Sequence, residues 1–119
     1  MHSLILQAAV LLTIGAGRYD GIGARYQSDE LMWHAAAVHG YDISPCMMSS
    51  DFHKLGTWVI VESKINGLRL WCQVVDLSQT VDRNRHMRDH LFEFNPEAAE
   101  RLFGPMPMAN RDCPLWVSH

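Results

Sequence analysis

No stretch of this sequence is a comfortable membrane span, which needs about 20 apolar residues. The best run, Leu4 to Ile14, is too short and is interrupted by Gln7 and Thr13. Clustered positive charge is also missing. The one basic run, "DRNRHMRDH", interleaves Arg83, Arg85 and Arg88 with Asp82 and Asp89, so it is a near-neutral solvated loop. With Lys and Arg numbering 10 against 13 Asp and Glu, for a net charge of −3, nucleic acid is excluded as the main partner, because phosphate binding needs grouped cations. Cys46, Cys72 and Cys113 stand in no CxxC or CxxxC spacing, which argues against a zinc knuckle. The i, i+4 histidines of "HMRDH", His86 and His90, lack a glutamate at the metalloprotease position, and His90 opens a strand pattern. The reading therefore calls for no metal and no cofactor. Internal repeats and low-complexity tracts are absent as well.

What is present fits one folded domain. The chain has 119 residues, 48% hydrophobic and 19% charged, enough for a single core and not for two. We divide it into an apolar N-terminal segment, 1–19, and a domain over 20–119. "MHSLILQAAVLLTIGAG" has the length of a signal-peptide core but no Lys or Arg ahead of it, and Gly15-Ala16-Gly17 is only a fair cleavage site. Three roles stay open for it: export signal, uncleaved anchor in contact with a membrane, or docking arm through which residues 1–17 join a larger assembly.

"GRYDGIGARYQ" is a glycine-punctuated strand ending near Tyr26, and Ser28 then caps a helix with Asp29 and Glu30 in its first turn. Leu31, Met32, Ala35 and Val38 keep helical spacing, Gly40 is the stop, and His34 and His39 are ordinary helix histidines. "YDISPCMMSSDFHKLGT" is mostly loop, with Met47 and Met48 filling core gaps. "TWVIVES" and "LRLWCQVVD" form a hairpin turning at Asn66-Gly67, the second strand apolar on both faces as in a closed barrel. "HLFEF" is a short strand, and "NPEAAERLFG" is a helix with Asn95 as N-cap, Pro96 at its first position and Gly104 at its end. The prolines of "GPMPMANRDCP" forbid regular structure, and "LWVS" closes the fold. Cys72 lies in an apolar strand pattern as a packed thiol. Cys46 and Cys113 each neighbour a proline in loop-like segments, which makes them the better disulfide pair. Trp33, Trp58, Trp71 and Trp116 sit in apolar patterns that suit core residues; any that is exposed could stack on a sugar ring, Trp58 first among them.

Taken in order, Leu55-Gly56-Thr57, Asn66-Gly67, Val74-Val75-Asp76 and Glu93-Phe94-Asn95-Pro96-Glu97-Ala98-Ala99 resemble the double-psi β-barrel domains of the barwin, expansin and rare-lipoprotein-A group. The resemblance spans roughly 21–117. It implies a mainly β fold with short helices, a small six-stranded double-psi barrel preceded by the apolar segment. It also implies a protein of the cell envelope or exterior, in a virion if the arm docks there, that binds peptidoglycan or another cell-wall glycan.

Lytic members of that group use an acidic residue in a groove over the barrel. Carried over by motif, Asp76 and Glu93 are the candidate catalytic pair; Trp58, for its ring, and His53 and His90, for their imidazoles, are the candidate ligand contacts. The departures are specific. Ser50 stands where lytic relatives have a histidine, the Gly-Pro-Phe after the strand aspartate is replaced by "LSQTVDRNRHMRDH", and position 93 is Glu in place of Asp. A carboxylate at a strand end also pins the loop that follows, and that is the preferred role for Asp76. Alternation in "LFEF" makes Glu93 an exposed glutamate facing away from Phe92 and Phe94. The expected function is glycan binding with little or no catalysis. A scaffold subunit of an assembly, and a lytic transglycosylase-like enzyme using Asp76, are the alternatives.

Overall fold

A computed structural model describes residues 18–26, 28–77, 91–105 and 113–118; segment 1–17 and His86 and His90 lie outside these. Six strands and two helices follow in order: β1 (Tyr19–Arg25), α1 (Asp29–Val38), β2 (Met47–Ser49), β3 (Trp58–Ser63), β4 (Arg69–Asp76), β5 (Leu91–Phe94), α2 (Pro96–Phe103) and β6 (Cys113–Val117). The strands close into a barrel in the order β1-β5-β2-β4-β3-β6, with β1/β5 and β2/β4 parallel and the other pairs antiparallel. Exchanging β1, β2, β3 for β4, β5, β6 reproduces every pairing. The parallel pair β1/β5 maps onto β4/β2, β3/β4 maps onto β6/β1, and β2/β5 and β3/β6 map onto themselves.

The interior is built by period-2 alternation. Val59 and Val61, Cys72 and Val74, Phe92 and Phe94, and Leu115 and Val117 all lie within one buried cluster. Burying each of the larger side chains contributes about 2 kcal/mol. Helix α2 adds Ala98, Ala99, Leu102 and Phe103 to this cluster, and Phe103 meets Phe94 edge-on at 5.9 Å. Gly23 of β1 makes that packing possible: a Cβ there would lie 2.3 Å from Phe103 Cζ.

A second, smaller cluster joins Met32 and Ala36 of α1 to Tyr26, Met47 and Val75. It explains why β4 is buried at four consecutive positions, 72 to 75. Cys72 and Val74 face the interior, Val75 faces α1, and Gln73 donates to the Gly56 carbonyl. Helix α1 begins as its residues require, with Ser28 Oγ accepting from Leu31 N at 3.2 Å, a cap that contributes about 1 kcal/mol.

Four expectations need correcting. Met47 and Met48 are buried as gap fillers, yet they belong to a strand, β2, and not to a loop. Pro114 lies inside β6, at the end of its pairing with β3, where its carbonyl accepts from Lys64 N. Asn95 does stand at the N-cap of α2, but its side chain makes no capping hydrogen bond. Its Oδ1 accepts from Met47 N and its Nδ2 donates to the Pro45 carbonyl, so it ties α2 to the entry of β2. The disulfide joins Cys46 to Cys72 and leaves Cys113 as a buried thiol, in place of a Cys46–Cys113 bridge and a packed Cys72. The cause is register: β2 runs parallel to β4 with Met47 opposite Gln73, so the preceding residues, Cys46 and Cys72, are neighbours.

Candidate functional site

The carboxylate that ends β4 is held by the fold itself. A register shift between Met48 and Ser49 pairs Met48 with Val74 but Ser49 with Asp76, leaving Val75 as the extra residue of a bulge. Oδ1 of Asp76 accepts from the Leu77 amide at 2.9 Å and Oδ2 from the Tyr26 hydroxyl at 2.8 Å. The Asp76 carbonyl accepts from Ser50 N. Both side-chain oxygens are thus occupied, and Asp76 fixes the direction in which the chain leaves the strand.

Glu93 shares a row with it. Ser49 stands opposite Asp76 on one side and Glu93 on the other, and Ser49 Oγ accepts from Glu93 N at 3.3 Å. The two acidic residues are therefore two strand spacings apart along the backbone, about 9–10 Å. Glu93 is half-buried where an exposed residue was expected.

Ser50 is fully buried. Its hydroxyl accepts from Phe52 N at 3.0 Å and lies 2.9 Å from His53 Nδ1, while His53 Nε2 is 3.3 Å from the Ser118 carbonyl. A carbonyl can only accept, which assigns the ring proton to Nε2 and makes Ser50 the donor to Nδ1. The pair has the contacts of a nucleophile and its base, but a hydroxyl without solvent access attacks nothing. Together with the tilted ring of Phe92 at 6.1 Å, these contacts make His53 a clamp between the turn after β2 and the end of β6.

The exposed chemistry lies on the outer face of β3 and β4. Three of the four tryptophans expected in the core are exposed: Trp33 by 39%, Trp58 by 48% and Trp71 by 60%. In β3, "WVIV" is apolar on both faces, and it is Val59 and Val61 that turn inward, sending Trp58 and Ile60 out. Trp58 pairs with Gln73 and Ile60 with Trp71, so the two indoles are diagonal neighbours on one face, roughly 7–8 Å apart at Cα and within reach of each other. One step along, Arg69, Glu62 and Trp116 form the next row. Glu62 takes Arg69 Nε at 2.5 Å and Arg18 at 3.8 Å. The Arg18 guanidinium lies 4.1 Å and Lys64 Nζ 4.9 Å from the centre of the Trp116 ring. Lys64 also binds Asp20 at 2.5 Å, and that hydrogen bond and charge hold the Asp20 carboxyl below its ordinary range.

Of the candidate residues, Asp76 and Glu93 are brought to one row, His53 is built into a structural clamp, and Trp58 is on an open surface. Of its companions, Trp71 was expected in the core, able to stack on a sugar ring only if exposed, and Arg69 was not foreseen. The signal that finds them is position: Trp71 and Arg69 share the outward parity of β4 once Cys72 is placed inside. Comparison with protein-family models gives no match, and neither does comparison with curated proteins.

Proposed function

We propose that this chain is a double-psi β-barrel of the cell envelope that binds peptidoglycan or a related cell-wall glycan without cleaving it. The observation that carries the reading is the pair of exposed indoles, Trp58 and Trp71, diagonal neighbours on one face of a twisted sheet. Pyranose rings present apolar C–H faces that an indole covers, and hydroxyl edges that planar polar side chains bind. Arg69 flanks Trp71 at i−2 on the same face of β4 and supplies such a group, whereas Gln73 at i+2 is buried with its amide on the Gly56 carbonyl. Covering about 100 Å² of each indole would contribute roughly 2.5 kcal/mol per ring.

Support for the fold assignment comes from the two parallel pairs and the internal exchange symmetry of the barrel, which suit two interlocked halves. A disulfide is compatible with an oxidising compartment outside the cell. Catalysis through Asp76 is disfavoured because both carboxylate oxygens are already bound. The second reading is a scaffold subunit. Its motivation is the composition of the same face, since tryptophan beside arginine is the make-up of protein–protein hot spots.

Co-sedimentation with purified sacculi, with the supernatant assayed for sugar fragments, separates the three. Pelleting without release is the expected result. Release would restore the enzyme reading, and a protein that stays in solution would leave the scaffold.

A further inference from the structure

A concave surface lies where α1, the approach to β2 and α2 meet. It is a cleft of about 320 Å³ whose lining includes Asp29, Trp33, Ile43, Pro45 and Glu97. Ile43 is 64% exposed and Trp33 39%, so its walls offer uncovered apolar surface. Asp29 and Trp33 are i and i+4 on α1 and stand side by side. Glu97 comes from the first turn of α2.

Neither Asp29 nor Glu97 forms an ion pair among the described residues, and no Lys, Arg or His lines the cleft. The helix dipoles explain why an acid is favoured at each position. They do not explain why both acids converge on one apolar-walled recess. The wall is also fixed in advance. Buried Asn95 holds both Met47 N and the Pro45 carbonyl, and Cys46 is anchored to β4 by the disulfide. A recess that does not need to be ordered on binding spends less of its contact energy on ordering.

We infer that this cleft binds the side chain of a lysine or arginine presented by a partner protein. The aliphatic stem lies along Ile43 and Pro45, and the cation sits against the Trp33 ring between the two carboxylates. An indole face attracts a cation by its quadrupole, and the attraction grows when the site is partly desolvated. Two carboxylates with no internal counter-ion give the cleft a charge that only a cation complements. The inference concerns a different face from the Trp58–Trp71 pair and does not rest on the glycan reading.

The test is an NMR titration of the full, isotope-labelled chain with a blocked tri-lysine peptide, read at the Trp33 indole N–H and the Asp29 and Glu97 amides. Saturable shifts at these positions are expected, and none with tri-glutamate. The D29N/E97Q variant should bind at least roughly tenfold more weakly, and so should the wild type at about 0.5 M salt. Trp33→Leu, which changes an exposed side chain, should weaken binding while leaving the spectrum of the barrel intact. Absence of a saturable shift at Trp33, or equal affinity in wild type and D29N/E97Q, would overturn the inference.

Discussion

Tyr26 donates its phenolic hydroxyl to Oδ2 of Asp76 at 2.8 Å, joining the end of β1 to the end of β4 across 50 positions of sequence. Those two strand ends correspond under the exchange that maps β1, β2, β3 onto β4, β5, β6. The bond thus ties together equivalent points of the two halves, beside the cluster under α1. It gives the terminal carboxylate of the most apolar strand a structural reason to exist.

Removing that carboxylate should cost stability before it costs anything else. Asp76→Ala leaves the Tyr26 hydroxyl and the Leu77 amide without their acceptor, and about 1–3 kcal/mol of destabilisation is expected in urea unfolding. Tyr26→Phe should cost about 1 kcal/mol, and the double variant less than the sum of the two. An Asp76→Ala protein as stable as the wild type would remove the structural role.

The disulfide makes a prediction about chemistry in solution. Under denaturing but non-reducing conditions one thiol, that of Cys113, should be alkylated, and after reduction all three cysteines. Reduction should lower stability by about 3 kcal/mol for a loop closed over 26 positions. Peptide mapping that recovers a Cys46–Cys113 pair would contradict the register of β2 on β4.

How far these features were legible depended on the range of the interactions that decide them. Ser28, the Asn66-Gly67 turn and the Asn95-Pro96 helix start are local signals, and each marks an element boundary near where the structure has it. Strand β2 was invisible because three residues carry no period and its partners lie in β4 and β5. The disulfide follows only from that same pairing. The outward tryptophans were hidden for a different reason: "WVIV" offers two apolar faces, and only closure of the barrel decides which one turns in. Asp76 was readable as a loop anchor, but Tyr26 as its partner was not.

Close packing at β1 gives a steric prediction. Gly23→Ala places a methyl group 2.3 Å from Phe103 Cζ and 2.7 Å from Leu115 Cδ2. Overpacking of this kind should destabilise by about 1–3 kcal/mol, and Phe103→Leu in the same chain should recover part of the loss. Thermal unfolding of the wild type, the single variant and the double variant decides it.

A titration checks the outer charged row. Lys64 depresses the Asp20 carboxyl below its ordinary value of 3.8, so Asp20 favours folding above that pH, and its contribution is lost as pH falls through the depressed folded value. Lys64→Met should return the Asp20 titration, followed by carboxyl NMR shifts, toward the ordinary range. An unchanged midpoint would show that the pair does not form in solution.

The most direct test of glycan recognition is quantitative co-sedimentation with sacculi, comparing the wild type with Trp58→Ala/Trp71→Ala. Trp58 is 48% and Trp71 60% exposed and neither belongs to the buried core, so the double variant should keep the wild-type fold. The prediction is that the wild type pellets without releasing fragments and that the double variant loses at least roughly tenfold in affinity. A double variant that pellets as well as the wild type would show that the indole face is not where glycan binds.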